Sequence, residues 1–230
     1  MTILFLHGLE SGTTGRKARY LQEKYPAQVC IPDLHMSLWR PDRTNGVFRS
    51  AMRIAYARPY LLMTNWRQLL QQSVLESLAR CADSAVNELR GAVDQSHRLV
   101  IGSSWGGAVA LHLLARGDWK GPALLIAPAL KKALLMCGSN NDDPARQQIA
   151  AWYKGINQNL AGADENRKII VVHGDSDDTV PLADSKELCE AINAELIVVP
   201  AGTHRLNDYL LQQNKFQELV DRLLNQLPSR

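Results

Sequence analysis

Short apolar runs alternate with helical stretches along most of the chain. The apolar runs are rich in Ile, Val and Leu and occupy residues 2–6, 28–33, 99–101, 122–127, 168–173 and 195–199. Runs of this kind are typical of strands buried on both faces of a parallel sheet. Residues 16–25, 69–93, 108–115, 145–153 and 216–227 have the spacing or composition of helices. The alternation predicts one doubly wound α/β domain over residues 1–230, with its ligand at the carboxyl ends of the strands.

Residues 34–67 interrupt this alternation. The segment holds two prolines, six arginines between positions 40 and 67, and large apolar residues without strand spacing. A long connection of this kind is usually functional or disordered, and its many large apolar residues argue against disorder. Two interpretations stay open: a flap over the active site, or a helical insertion that packs on the sheet with its arginines in water.

Composition narrows the class of function. The chain has 230 residues, 46% of them hydrophobic, and a formal net charge of +3, which is too small to indicate nucleic-acid binding. No apolar run approaches the roughly 20 residues of a membrane span, and the first run passes into His7 and Gly8 without the regions of a signal peptide. The four cysteines lie far apart without a C-x-x-C pair, which favours buried thiols, a reducing cytoplasmic location and no metal site.

The strongest chemical signal is Gly102-Ser103-Ser104-Trp105-Gly106, which fits the pattern G-x-S-x-G. Small flanking residues allow a sharp, strained turn that holds the serine oxygen clear of the backbone, above the edge of the sheet. The pentapeptide alone is common, but here an apolar strand precedes it and an apolar helix follows it. This context predicts that Ser104 is a nucleophile.

A nucleophilic serine needs a base that takes its proton and a third group that holds the base. Asp175, Asp177 and Asp178 follow the run at 168–173, and His204 follows the last predicted strand. Serine, aspartate, histidine is the chain order of α/β-hydrolases and differs from the order in the chymotrypsin and subtilisin folds. The sequence therefore predicts a triad of Ser104, His204 and one of the three aspartates.

Over nearly its whole length the chain resembles the α/β-hydrolase superfamily, and within it small serine esterases with little or no cap domain. The resemblance rests on His-Gly-Leu-Glu-Ser at 7–11, on the serine pentapeptide, and on residues 173–181, which are similar to H-G-x-x-D-x-x-V-P. Aligning the ends of that last motif puts the catalytic acid at Asp177, with Asp175 and Asp178 as alternatives. The resemblance also implies a trimmed sheet of about six parallel strands with helices on both faces, without the family's two antiparallel first strands.

This resemblance implies a carboxylesterase-type serine hydrolase that cleaves small-molecule esters or thioesters through an acyl-enzyme intermediate, without a cofactor or metal. The backbone N–H groups of Leu9 and Trp105 would form the oxyanion hole, and the Trp105 ring would line the pocket. A lipase or peptidase with the same triad, and a non-catalytic binding protein with this fold, are the alternatives. His112, within an apolar helix, is expected to be a packed core histidine.

Overall fold

The computed structural model describes residues 2–9, 11–90, 98–135, 143–161 and 168–225. At its centre lie six strands: β1 (Thr2–Leu6), β2 (Val29–Cys30), β3 (Arg98–Ser103), β4 (Ala123–Ile126), β5 (Ile169–Gly174) and β6 (Glu195–Val199). They form one sheet in the order β2-β1-β3-β4-β5-β6, and every neighbouring pair is parallel. The predicted sheet of six parallel strands is therefore confirmed.

Helices connect the strands and cover the sheet. They are α1 (Arg16–Lys24), α2 (Val47–Ala57), α3 (Tyr60–Thr64), α4 (Trp66–Arg90), α5 (Trp105–Arg116), α6 (Leu130–Leu135), α7 (Asp143–Leu160), α8 (Leu182–Ile192) and α9 (Lys215–Leu224). A turn of π-helix (Asp208–Gln212) precedes α9. The helix predicted at 145–153 extends in both directions to become α7, whereas the strand predicted at 28–33 shortens to the two residues of β2. Among the described helices, none is long and apolar enough to cross a bilayer.

Alternation along the strands gives the sheet two apolar faces. On β1, Leu4 and Leu6 belong to the core that α4 to α8 complete, whereas Ile3 and Phe5 belong to the core that α1 and α9 complete. Successive side chains of a strand point to opposite faces, so a strand with every position apolar must be covered on both sides. Helices on both faces, as predicted, follow from this pattern.

Residues 34–67 contain the helices α2 and α3. Both pack against α4 rather than directly on the strands. Ala55 of α2, Leu61 of α3 and Leu69 of α4 form a small buried cluster that joins the three helices. The segment is thus a helical insertion, although it rests on a helix where the sequence suggested the sheet. Its interpretation as a flap stays a prediction.

Candidate active site

Ser104 lies in the turn between β3 and α5, at the carboxyl edge of the sheet. Its backbone angles are φ 55° and ψ −112°, a conformation that a residue with a side chain rarely adopts. The Ser104 N–H donates to the carbonyl of Ile126 at the end of β4, with an N–O distance of 2.8 Å. This bond fixes the strained turn to the neighbouring strand. The geometry is that of the nucleophile elbow predicted from the sequence.

Two glycines make this turn sterically possible. A Cβ atom at Gly106 would lie 2.0 Å from the carbonyl oxygen of Leu6, and one at Gly102 would lie 2.5 Å from the carbonyl oxygen of Gly106. Both distances are far inside van der Waals contact and involve backbone atoms. Any larger residue at either position would push α5, and Ser104 with it, away from the sheet.

His204 connects Ser104 to Asp177. Its Nε2 lies 2.9 Å from Ser104 Oγ, and its Nδ1 lies 2.7 Å from Asp177 Oδ2. Since a carboxylate only accepts hydrogen bonds, Nδ1–H donates to Asp177 and Nε2 is left to accept the serine proton. The structure therefore brings together three residues that the sequence predicted, from loops after β3, β5 and β6.

The carboxylate of Asp177 is fully buried, with 0% of its side chain exposed. Burial alone would raise the pKa of this group, but three hydrogen bonds outweigh burial and the net pKa is lowered. The backbone N–H groups of Val180 and Thr179 both donate to Oδ1 at 2.8 Å, and His204 donates to Oδ2. Asp177 is thus held as a charged acceptor in one orientation.

The two other aspartates of this loop make different contacts. Asp175 accepts a bond from the Ser176 hydroxyl at 3.0 Å, and Asp178 accepts one from the Thr179 hydroxyl at 3.1 Å; both bonds are exposed. Neither carboxylate contacts His204 in the described structure. The geometry therefore favours Asp177, the position chosen by aligning the motif, over both alternatives.

His173 is a further component of the site, to which the sequence pattern assigned a place at the end of a strand but no role. The side chain is 0% exposed, and its Nε2 donates to the Val180 carbonyl at 3.0 Å. The same nitrogen lies 3.2 Å from Asp177 Oδ2, while Nδ1 is hydrogen-bonded to the Ser185 hydroxyl at 2.6 Å. An N–H dipole therefore faces the carboxylate oxygen that holds His204. Its position next to Gly174 in the motif was the available signal.

His7 anchors the turn after β1 in a similar way. It is 3% exposed, donates from Nδ1 to the Gly8 carbonyl at 2.9 Å, and accepts the Leu34 N–H at Nε2 at 3.2 Å. Burial lowers the pKa of His7, so the ring is neutral, as these two bonds require. The anchored turn approaches the nucleophile closely, since a Cβ at Gly8 would lie 3.3 Å from Ser104 Cβ.

A family model described as serine hydrolase (FSH1) matches residues 1–207 of this chain. The chain belongs to the FSH1 serine hydrolase family. Membership agrees with the resemblance drawn from the motifs and supports hydrolase activity. A comparison with curated protein sequences finds no match.

Solved structures show the same α/β-hydrolase fold as this FSH1-family protein. Est1E from Butyrivibrio proteoclasticus, with ferulic acid bound, is 14% identical with a TM-score of 0.58, covering 96% of this chain and 89% of that one. The ydeN gene product of B. subtilis is 16% identical with a TM-score of 0.52, covering 96% and 97%. A protein from Agrobacterium vitis S4 described as a hydrolase is 18% identical with a TM-score of 0.59, covering 97% and 87%. At sequence identities this low, the likeness shows a shared fold and nothing further.

A cleft of about 420 Å³ opens beside Ser104 and His204 of this FSH1-family hydrolase. Three cationic side chains, those of Arg16, Lys17 and Arg205, line it, and none of its described lining residues is acidic. None of the described residues that line this cleft comes from residues 34–67. Across the described residues, no group of three or more His, Cys, Asp or Glu side chains is placed to hold a metal ion.

Neither the Trp105 ring nor the His112 ring, both in α5, lines this cleft. The Trp105 ring is 1% exposed and is absent from the lining of this cleft, so the expectation that it lines the pocket is wrong here. His112 packs against Trp152 with 4.3 Å between the centroids of the two tilted rings, and burial lowers its pKa to about 4. Its side chain is half-buried, so the expectation of a packed core histidine holds only in part.

Proposed function

We propose that this protein cleaves carboxylic ester or thioester bonds through an acyl-enzyme intermediate, as a carboxylesterase-type serine hydrolase. The observation that carries the proposal is the position of His204, 2.9 Å from the hydroxyl of Ser104 and 2.7 Å from the carboxylate of Asp177. This is the arrangement in which a weak nucleophile is activated by a base that a third group orients.

In the proposed reaction, Ser104 Oγ attacks the substrate carbonyl while His204 Nε2 takes the hydroxyl proton. His204 then returns this proton to the leaving alcohol or thiol, and a water molecule activated in the same way releases the acid product. Asp177 keeps the proton of neutral His204 on Nδ1 and stabilises the imidazolium that forms. Its own low pKa suits it to remain charged throughout.

The backbone N–H groups of Leu9 and Trp105 are the proposed oxyanion hole. Trp105 is the first residue of α5, where an amide has no partner within the helix. Leu9 lines the cleft directly after Gly8, whose backbone approaches the Ser104 side chain. A single oxyanion donor of this kind contributes roughly 10²–10³ in rate.

Replacing the proposed nucleophile tests the assignment directly. We expect Ser104→Ala to lower hydrolysis of a simple aryl ester by up to about 10⁶-fold, because the base no longer has a proton to take. A fluorophosphonate probe should add to wild-type protein at one site, detected by intact mass, and should leave Ser104→Ala unmodified.

Ser103→Ala is the matched control, because this serine is the neighbouring residue and also lines the cleft. It should retain both labelling and turnover within a few-fold. Retained hydrolysis or labelling in Ser104→Ala would contradict the proposal.

A substrate panel separates the esterase proposal from lipase and peptidase activity on the same triad. Esters of graded acyl length, emulsified triglyceride and peptide amides should give the highest kcat/KM for soluble esters. A preference for aggregated lipid would favour the lipase, and faster cleavage of amides the peptidase.

We also propose a cytoplasmic location. Cys81 and Cys189 are free thiols, and burial raises the pKa of Cys81 to about 12. Unpaired cysteines are the usual state in a reducing compartment. Cys137 lies outside the described residues. Fractionation of cells that express the tagged full chain tests the location.

A further inference from the structure

The helices α2 and α3, together with the first residue of α4, expose a set of large apolar side chains, called here the α2–α3 surface. Its members are Phe48 (39% exposed), Met52 (56%), Tyr56 (93%), Tyr60 (58%), Leu62 (57%), Met63 (91%) and Trp66 (57%). Single exposed apolar residues are ordinary, but a contiguous group of this size marks an interaction surface. Of the large exposed hydrophobic residues in the described structure, all except Val198 lie between Trp39 and Trp66.

The order of the helices makes these residues neighbours. Phe48, Met52 and Tyr56 are spaced by four, so they lie on one face of α2, while Val47 and Ala55 of the same helix are buried. Only two residues separate α2 from α3, and one residue separates α3 from α4. The buried cluster described above joins all three helices from within. The exposed side chains therefore surround one packed centre and face outward.

Positive charge accompanies this apolar surface. Arg49, Arg58 and Arg67 form no ion pair with any described carboxylate. Arg67 instead lies over the ring of Trp66, with 5.5 Å from its guanidinium carbon to the ring centroid.

Other arginines within residues 34–67 are neutralised by carboxylates. Arg43 pairs with Asp33 at 3.0 Å, and Arg53 pairs with Glu76 at 2.7 Å. Three cations thus lie without described acidic partners among exposed aromatic and aliphatic side chains.

We propose that the α2–α3 surface docks on a bilayer that contains anionic phospholipid. Tyrosine and tryptophan favour the interface between headgroups and acyl chains, and arginines beside them are attracted to anionic headgroups. An amphipathic helix with this distribution lies in the plane of the interface with its apolar face inserted. A partner protein would also bury the apolar residues, but the uncompensated cations favour a surface of dense negative charge. The inference does not depend on the chemistry of Ser104.

Vesicle sedimentation with the full chain tests the proposal. We expect wild-type protein to sediment with vesicles of phosphatidylcholine and phosphatidylglycerol, to bind pure phosphatidylcholine at least tenfold more weakly, and to be released as salt rises. Arg49→Glu should lower the partition coefficient by about fivefold or more, on the basis of about fivefold per cation near an anionic surface. Met52→Asp and Tyr56→Asp should each lower it by about tenfold or more, since each removes apolar contact with the acyl region.

Matched controls come from the opposite edge of the sheet. Val198→Asp changes an exposed apolar residue of β6, and Lys186→Glu reverses an exposed charge of α8. Both should leave vesicle binding within twofold, which separates the α2–α3 surface from general attraction of a basic protein. Equal loss in the controls, or binding to neutral and anionic vesicles alike, would overturn the proposal. So would absence of binding to the anionic vesicles. If a concentration-dependent dimer that Met52→Asp dissociates accompanied that result, a second copy of the chain would be the occupant of the surface.

Discussion

Exchanging Asp177 for asparagine should move the ring proton of His204 from Nδ1 to Nε2 while keeping the shape of the loop. Oδ1 of Asp177 accepts two backbone N–H bonds at 2.8 Å, so the carbonyl oxygen of asparagine will take that position. Its NH₂ group then occupies the place of Oδ2, 2.7 Å from His204 Nδ1. An NH₂ group only donates, so Nδ1 must accept and the histidine proton moves to Nε2. Nε2–H cannot take the proton of Ser104.

The expected loss follows from this exchange of tautomers. A base held in the wrong tautomer lowers kcat by about 10⁴-fold, which corresponds to about 5.5 kcal/mol of transition-state stabilisation. Stability should also fall. One N–H of the new NH₂ group donates to His204 Nδ1, but the other faces the Nε2–H of His173, where Oδ2 now lies at 3.2 Å. Because His173 keeps its own bond to the Val180 carbonyl, it is this second N–H that meets a donor in place of an acceptor. A buried polar group without a partner costs about 1–3 kcal/mol of the free energy of unfolding.

The assay is kcat/KM for a soluble aryl ester between pH 6 and 10, with urea unfolding of each variant measured in parallel. Asp175→Asn and Asp178→Asn are matched controls, since both remove one negative charge from the same loop without touching His204. Both should stay within a few-fold of wild type. Activity of Asp177→Asn within tenfold of wild type would refute the tautomer argument, and a 10³-fold loss in either control would show that another aspartate orients the base.

Three further outcomes follow from charges and burial. His173→Phe should lower the free energy of unfolding by about 1–3 kcal/mol and lower kcat with little change in KM, because the Val180 carbonyl and Asp177 Oδ2 lose the N–H of His173. Unchanged values in urea unfolding and in steady-state kinetics would contradict this. The pKa of His112 is about 4, below that of the unfolded chain, so only the unfolded state gains a proton as pH falls from about 6.5 and stability declines by up to about 3 kcal/mol by pH 4. His112→Phe should flatten that decline in urea titrations, and parallel curves for both proteins would exclude it. Burial lowers the pKa of Lys17 to about 8, so Arg16, Lys17 and Arg205 are all charged at pH 6–7 and make the cleft cationic there. At that pH an aryl ester with a carboxylate should have a several-fold lower KM at low salt than its neutral isostere, and equal KM values would refute this.

The parts of the site that could be predicted from the sequence are those whose position is determined by a local pattern or by the topology of the sheet. The elbow is encoded within five residues, Gly102 to Gly106, because the steric demand is local. The triad could be assembled from residues 100 positions apart because all strands run parallel and their carboxyl ends meet at one edge. Register confirms this alignment, with Leu6 opposite Gly102 and Ser103 opposite Ile126.

Side-chain partners were less predictable, because they depend on loop conformations that the pattern does not encode. The choice among three aspartates rests on two backbone amides and on a bond from the Ser176 N–H to the Gly202 carbonyl, at 3.0 Å, that joins the acid loop to the histidine loop. Residues 34–67 were ambiguous for another reason. A flap and a packed helical insertion have the same composition, and only tertiary contacts separate them.

The two His-Gly pairs of the motifs have one physical explanation, which is clearest at β1. His7 is buried at the end of the strand and accepts the Leu34 N–H, so its ring ties the turn after β1 to the next loop. Gly8 then lets that turn come within contact of Ser104, where a Cβ would be 3.3 Å from the serine Cβ. The histidine fixes the loop, and the glycine gives it room to approach.

His173 and Gly174 repeat this arrangement at the end of β5. The buried His173 ring donates to the Val180 carbonyl and so closes the acid loop on its own strand. A Cβ at Gly174 would lie 2.0 Å from the Gly202 carbonyl oxygen, so only glycine admits the histidine loop at this distance. In both pairs a buried imidazole sets the position of a loop that carries site residues. The chemistry proposed for Ser104 therefore depends on two histidines, neither of which lines the cleft beside that serine.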